Sequence, residues 1–363
     1  MAVLLVTAVP GPARADWNHD AGSPYGNWYN PTDQPPTGTR LVRSWSVQLP
    51  SGQAQCTGPV NAPVVAGGRV IVRTGHSIDA YTPAGGKLLW RSRLNHWGPR
   101  PTDREWAGRL AVAGGRVLML STSCRHPESD PAYLTAMDER TGARKWRRKL
   151  DVYATDLVVD KGVAVVSAAW GTGVSVTAYR ITDGKQLWRR TDGYAGAVSS
   201  LGRVLVTRAN GRGAYAKNSV TGKTLWTTTA SVRAVAANPG LFIVRSNGKL
   251  SAVNAATGKV QWTGLPVGLF TLSGNEMFLS LETTMEVYDY GTGTRLRGFP
   301  VRYGQPLLAG GLIYVWQSIY DAATGAQVMT IPAKDGLLAH PVVWDGRVYT
   351  VEPGEVLRSF VFR

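Results

Sequence analysis

Apolar residues in this chain fall in short runs separated by turn residues, and the arrangement repeats. Val64-Val65-Ala66, the turn Gly67-Gly68, and Arg69-Val70-Ile71-Val72 form one strand–turn–strand unit. Counterparts turn at Gly115, Gly162, Gly202, Gly240, Asn275, Gly311 and Gly346, so the unit occurs eight times. β-Branched runs broken by Gly or Asn read as β-hairpins.

A second pattern is interleaved with the first. A small or aliphatic residue is followed six positions later by Gly, usually after Thr, and four residues beyond that by Trp. Ala136 to Trp146 shows it whole, with Thr141-Gly142, and Ala80–Trp90, Ala178–Trp188, Ala216–Trp226 and Ala252–Trp262 repeat it. Val287 to Arg297 and Ile319 to Met329 keep Thr292-Gly293 and Thr324-Gly325 without the Trp.

Together the two patterns predict four strands per unit, which is a propeller blade. A lone four-stranded blade has two apolar faces that only neighbours can bury. Gly permits the tight turn between the third and fourth strands, and the Trp on the fourth is placed to cover apolar area between blades and to direct its indole N–H at a backbone carbonyl. Seven such turns lie inside the chain, at Gly86, Gly142, Gly184, Gly222, Gly258, Gly293 and Gly325. The eighth hairpin, Val342 to Thr350, is followed only by Val356 to Phe362 and lacks an outer strand. Thr39 to Leu49, with Trp45, fits the vacancy. The expected fold is therefore an all-β, eight-bladed propeller of four-stranded antiparallel blades, closed by an N-terminal strand that completes the last blade and removes an open edge.

Composition changes this picture in two ways. The first fifteen residues, MAVLLVTAVPGPARA, carry an apolar stretch, two prolines and Ala13-Arg14-Ala15 before Asp16, which reads as a signal peptide without a basic start. No Cys follows to accept a lipid, and no apolar run reaches the length of a transmembrane helix. The expected division is 1–15 signal peptide, 16–38 lead-in and 39–363 a single propeller domain, exported to the cell envelope or beyond. The net charge of +16 favours anionic partners; for an exported protein these are envelope polymers, with no specific nucleic acid expected.

The repeat Ala136-x-Asp138-x-x-Thr141-Gly142-x-x-x-Trp146 resembles the tryptophan-docking motif of the PQQ-like β-propeller family, and Asp16-Trp17 through Asp33 is similar to that family's lead-in. Eight blades resemble the BamB-like propellers. The resemblance implies the fold and leaves the activity open.

Quinoprotein dehydrogenases in the family imply a Ca²⁺ site of carboxylates and amides and a vicinal Cys pair. This chain has two cysteines, Cys56 and Cys124, far apart. The positions six residues before each hairpin turn, expected at the mouth of the central channel, are Ala62, Arg109, Asp156, Gly196, Ala234, Leu269, Gln305 and His340. One carboxylate and one imidazole fall short of the six to eight oxygens that Ca²⁺ takes, and no His cluster suits zinc. No quinone, metal or other cofactor is therefore expected.

Three features are candidates for a binding face. Cys56 and Cys124 sit in loops expected on one face of adjacent blades, which in an exported protein supports a disulfide; two separate thiols are the alternative. Beside them the insertion holding His96, Trp97, Arg100 and Arg104, and the loop with Arg125 and His126, read either as a binding surface or as decorated loops. Basic residues follow the Trp in blades 1 to 3, most densely at Arg147-Arg148-Lys149, where blades 4 and 5 hold Thr227-Thr228-Thr229 and Thr263-Gly264. They read as a polyanion contact or as edge protection. The expected function is a non-catalytic, monomeric scaffold that binds a protein or an anionic envelope polymer through its loop face. A quinone- and Ca²⁺-dependent dehydrogenase is the alternative.

Overall fold

A computed structural model describes residues 29–30, 38–50, 62–74, 77–93, 105–123, 132–150, 154–170, 173–197, 201–230, 233–238, 240–333 and 336–363. The described residues form eight sheets, each built on four antiparallel strands. Blades 1 to 7 occupy 64–93, 105–149, 154–190, 193–228, 233–266, 269–300 and 306–330 in chain order. Blade 8 joins Val342–Trp344, Arg347–Glu352 and Val356–Phe362 to the strand Leu41–Gln48. The chain is an eight-bladed β-propeller.

Burial follows strand position. Second and third strands are packed on both faces by neighbouring blades, so they read as continuous apolar runs, as in Leu312–Val315, where every residue is buried. Fourth strands face solvent on the rim and keep little more than their Trp, as Arg144–Lys149 does with buried Trp146 between exposed Arg144, Lys145, Arg148 and Lys149. That contrast is why the sequence signal changes from apolar runs to a single aromatic.

The Thr-Gly turn and the Trp act across blades. Each indole donates to the carbonyl three residues past the start of the next blade's motif: Trp90 to Glu139 at 3.0 Å, Trp146 to Ile181 at 2.9 Å, Trp188 to Ser219 at 2.8 Å, Trp226 to Ala255 at 3.0 Å and Trp262 to Tyr290 at 2.8 Å. The ring then lies on the Gly of that blade's turn. A Cβ on Gly142 would come 2.5 Å from Trp90, and Gly142 has φ of +70°. Gly is thus required twice, once for backbone conformation and once for space. The side chain two residues into the motif shapes the same turn: Asp138 Oδ1 accepts from the amides of Arg140 and Thr141.

Closure follows the expected topology. Leu41–Gln48 pairs antiparallel with Val356–Phe362, with Trp45 opposite Ser359. Trp45 donates to Pro83 of blade 1 at 2.9 Å and lies over Gly86, so the seam uses the same device as the other junctions. The strands meet where the amides of Thr39 and Arg40 donate to the Arg363 carbonyl.

One element was not anticipated. Tyr29–Asn30, within the lead-in, pairs in parallel with Leu308–Ala309 on the channel side of blade 7 and makes its sheet five-stranded. A first strand offers an open inner edge, and any extended peptide can use it; no local pattern in the sequence announces that pairing.

Candidate functional site

Among the described residues, the turns joining strands two and three, such as 316–317, lie on the same face as the segments joining successive blades, such as 301–305. This loop face was expected to carry the site. His96, Trp97, Arg100, Arg104, Arg125, His126, Cys56 and Cys124 lie outside the described residues.

Of the four polar residues assigned to the channel mouth, two meet each other and two serve neighbouring segments. Arg109 Nε lies 3.9 Å from Asp156 Oδ1, an ion pair between the first strands of blades 2 and 3, and Asp156 also accepts from the amide of Leu157 at 2.9 Å. Gln305 donates to the carbonyls of Phe270 at 2.7 Å and Pro306 at 3.2 Å, stitching blade 7 to blade 6. His340 stacks on Trp316 with ring centroids 4.9 Å apart, and burial pushes its pKa down to about 4. Among the described residues no three His, Cys, Asp or Glu side chains come together as a metal site would need.

The basic strand of blade 2 divides into three environments. Arg147 lies flat on Tyr133, 3.5 Å from the ring centroid, and burial lowers its pKa to about 10. Arg148 reaches blade 3 and donates to the carbonyls of Gly184 at 2.7 Å and Asp183 at 3.0 Å, so it supports the docked turn. Lys149 is exposed. The sequence run is one patch; in the fold its members have different work.

A second area on the loop face escaped sequence reasoning. Across blades 6 to 8 lies a ledge with Tyr303 54% exposed, Trp316 45%, Leu338 45% and Val267 37%. Trp316 sits in the turn between the second and third strands of blade 7 with φ of +54°, a conformation that large L-residues seldom adopt. Its ring meets His340, and it lies so close to Gly304 that a Cβ there would come 2.6 Å from the indole nitrogen. Gly304 in turn directs its amide at Ser280 Oγ, 3.4 Å away. Trp316 is therefore held in place while 45% exposed. Its signal was in the sequence: Trp316 lies three residues before Ile319, where the repeat begins, and so cannot be a docking Trp.

Beside Tyr303 the ledge drops into an open cleft of about 830 Å³. Its walls are the 280–284 loop of blade 6, Val267-Gly268 and Tyr303.

A family description for the outer membrane protein assembly factor BamB matches residues 75–202 and 175–308, more than half of the chain. The chain belongs to the BamB family. No curated protein sequence matches it. Among solved structures, BamB from Moraxella catarrhalis is 18% identical, covers 89% of this chain and 98% of its own, and superposes with a TM-score of 0.61. A quinohemoprotein alcohol dehydrogenase from Comamonas testosteroni is 13% identical over 95% of this chain and 80% of its own, with a TM-score of 0.66. A europium-containing methanol dehydrogenase is 12% identical over 95% of this chain and 89% of its own, with a TM-score of 0.62. At these identities the BamB-family chain shares with all three a fold, and the site must speak for itself.

Proposed function

We propose that this BamB-family propeller is an exported, non-catalytic scaffold of the cell envelope that binds a partner protein through the ledge over blades 6 to 8. The observation that carries the reading is Trp316: an exposed indole held in an unfavourable backbone conformation and packed against His340 and Gly304. Local strain of this sort costs on the order of 1–3 kcal/mol and persists where the surroundings enforce it, commonly at binding sites. Rigid, exposed Trp and Tyr are the side chains that dominate protein interfaces. Family membership supports the envelope assignment, and Ala13-Arg14-Ala15 supports export.

The test is a photo-crosslinking residue at position 316, compared with one at Leu225, which is exposed on the rim of blade 4. The reading expects one dominant protein adduct from position 316, lost in Tyr303→Ala, and none from 225. Equal labelling from both would refute it. Fractionation with N-terminal sequencing of the mature protein checks export, with Asp16 as the expected first residue.

The dehydrogenase reading asks the channel residues to hold a quinone and Ca²⁺. They fit poorly: the set holds one carboxylate, Asp156, and it is already engaged by Arg109 and by an amide. Dye-linked alcohol oxidation after adding quinone and Ca²⁺ would overturn the scaffold reading.

A further inference from the structure

The cleft beside Tyr303 has a chemistry of its own. Glu282 and Thr283 are exposed at its rim, Leu281 is half-buried, and Tyr303 and Val267 supply apolar wall. Its volume, about 830 Å³, lies inside the roughly 300–1,000 Å³ span of small-ligand sites. The loop that carries the polar groups is held in place, since the Leu281 amide donates to Thr284 at 2.8 Å and the Val301 amide donates to Thr283 at 3.1 Å.

Glu282 stands apart from most other carboxylates of the molecule. Asp79 is gripped by Arg91, Glu276 by Arg297, Glu286 by Arg295 and Glu352 by Arg358, whereas Glu282 makes no ion pair or hydrogen bond among the described residues. An ionised carboxylate only accepts hydrogen bonds, so its ligand must bring donors. Those donors are cationic groups, amides or hydroxyls. A chain with net charge +16 repels cations at long range, and one carboxylate does not reverse that field. Neutral hydroxyls pay no such penalty. A pyranose ring offers adjacent hydroxyls for the two carboxylate oxygens and an apolar C–H face for the Tyr303 ring.

We infer that the blade 6 cleft is a saccharide-binding site that takes a neutral stretch of a glycan chain, with Glu282 accepting from ring hydroxyls, Tyr303 stacking on the sugar face, and Thr283 as a further polar contact. The site is separate from the protein contact made by Trp316, though the two share Tyr303. The molecule would thereby tie a partner protein to an envelope glycan.

The test is titration calorimetry of the mature chain with chitotetraose and with maltotetraose, and with a tetra-arginine peptide as the cationic competitor. At least one oligosaccharide should bind. Glu282→Gln and Tyr303→Ala should each weaken it about tenfold, the effect of losing about 1.4 kcal/mol. Binding should persist at about 1 M salt, where screening shortens to about 3 Å. Both positions are exposed, so the variants should melt with the wild type. Glu282→Gln should weaken the saccharide and keep the protein adduct formed from position 316, which separates this site from the ledge. Absence of binding to both oligosaccharides, equal binding by wild type and Glu282→Gln, or salt-sensitive binding of tetra-arginine through Glu282 in place of sugar would each overturn the assignment.

Discussion

Blades 1 to 6 and the pair that follows them meet the same packing demand in different ways. Six junctions, counting the seam from blade 8 to blade 1, use a Trp on the outer strand, a carbonyl on the next blade and a Gly beneath the ring. At the junction of blades 6 and 7 that work is split between two side chains. Arg297 takes the Trp position and donates to the Ala322 carbonyl at 3.1 Å, the place where an indole would bond, while Phe299 covers Gly325. At the junction of blades 7 and 8 the position holds Met329, half-buried against the core of blade 8, whose third and fourth strands, Val356–Phe362 and Leu41–Gln48, come from opposite parts of the chain. The sector where the repeat lapses is also the sector that carries the ledge and the cleft. Positions freed from the repeat can be given to recognition, and regular junctions elsewhere hold the ring while they are.

The largest way to break this comparison is to remove the seam. Deleting residues 41–48 exposes the edge of Val356–Phe362 and removes Trp45 from blade 1. The deleted protein should aggregate or lose its cooperative melt. If it melts like the intact mature chain, the closure is not needed and the ring is held by other means.

Next comes the direct contrast of junctions. Trp146→Ala should destabilise by about 3–5 kcal/mol, the range for truncating a large buried aromatic, because Trp146 is 9% exposed and loses its bond to Ile181. Met329→Ala, on a half-buried rim position, should cost about half of that or less. Denaturant titrations read both, and equal values would mean the two junctions do not differ.

Glycine separates space from conformation. Gly142 has φ of +70° with Trp90 2.5 Å from its built Cβ, whereas Gly346 has φ of +68° with nothing within 4 Å. Gly346→Ala should cost about 1–2 kcal/mol, the left-handed penalty alone. Gly142→Ala should exceed it, because the indole must move. Matching losses would mean that the ring yields freely and that the second requirement for glycine is absent.

How much of this was legible follows from range. Thr141-Gly142 to Trp146 is a local pattern, so blade number, strand order and the seam could be read from the chain. Arg297 as a substitute for Trp could not, because the carbonyl it serves belongs to Ala322 on another blade. The same holds for Arg148, which looks like part of a charge run and in the fold supports the turn at Gly184. The ledge is the instructive miss. Tyr303, Trp316 and Leu338 lie on separate segments of blades 6 to 8 that the stacking of neighbouring blades places on one face. Trp316 could have been singled out by its register, but its neighbours could not.

The smallest expected effect lies inside the ledge. Burial lowers the pKa of His340 to about 4 from its ordinary 6.5, so the ring stacked on Trp316 is neutral at pH 7. The unfolded chain takes up a proton at this residue as pH falls below 6.5, while the folded chain does not until near pH 4. Unfolding is then linked to proton uptake, and the contribution of His340 to stability declines as pH drops through that window. Below it both states are protonated and the decline stops. His340→Gln cannot take up the proton, so the gap in melting temperature between wild type and variant should shrink or reverse in sign from pH 7 to pH 4.5 and stay constant above pH 7.5. A gap that does not change with pH would mean that His340 titrates alike in both states, and that its packing against Trp316 does not hold it neutral.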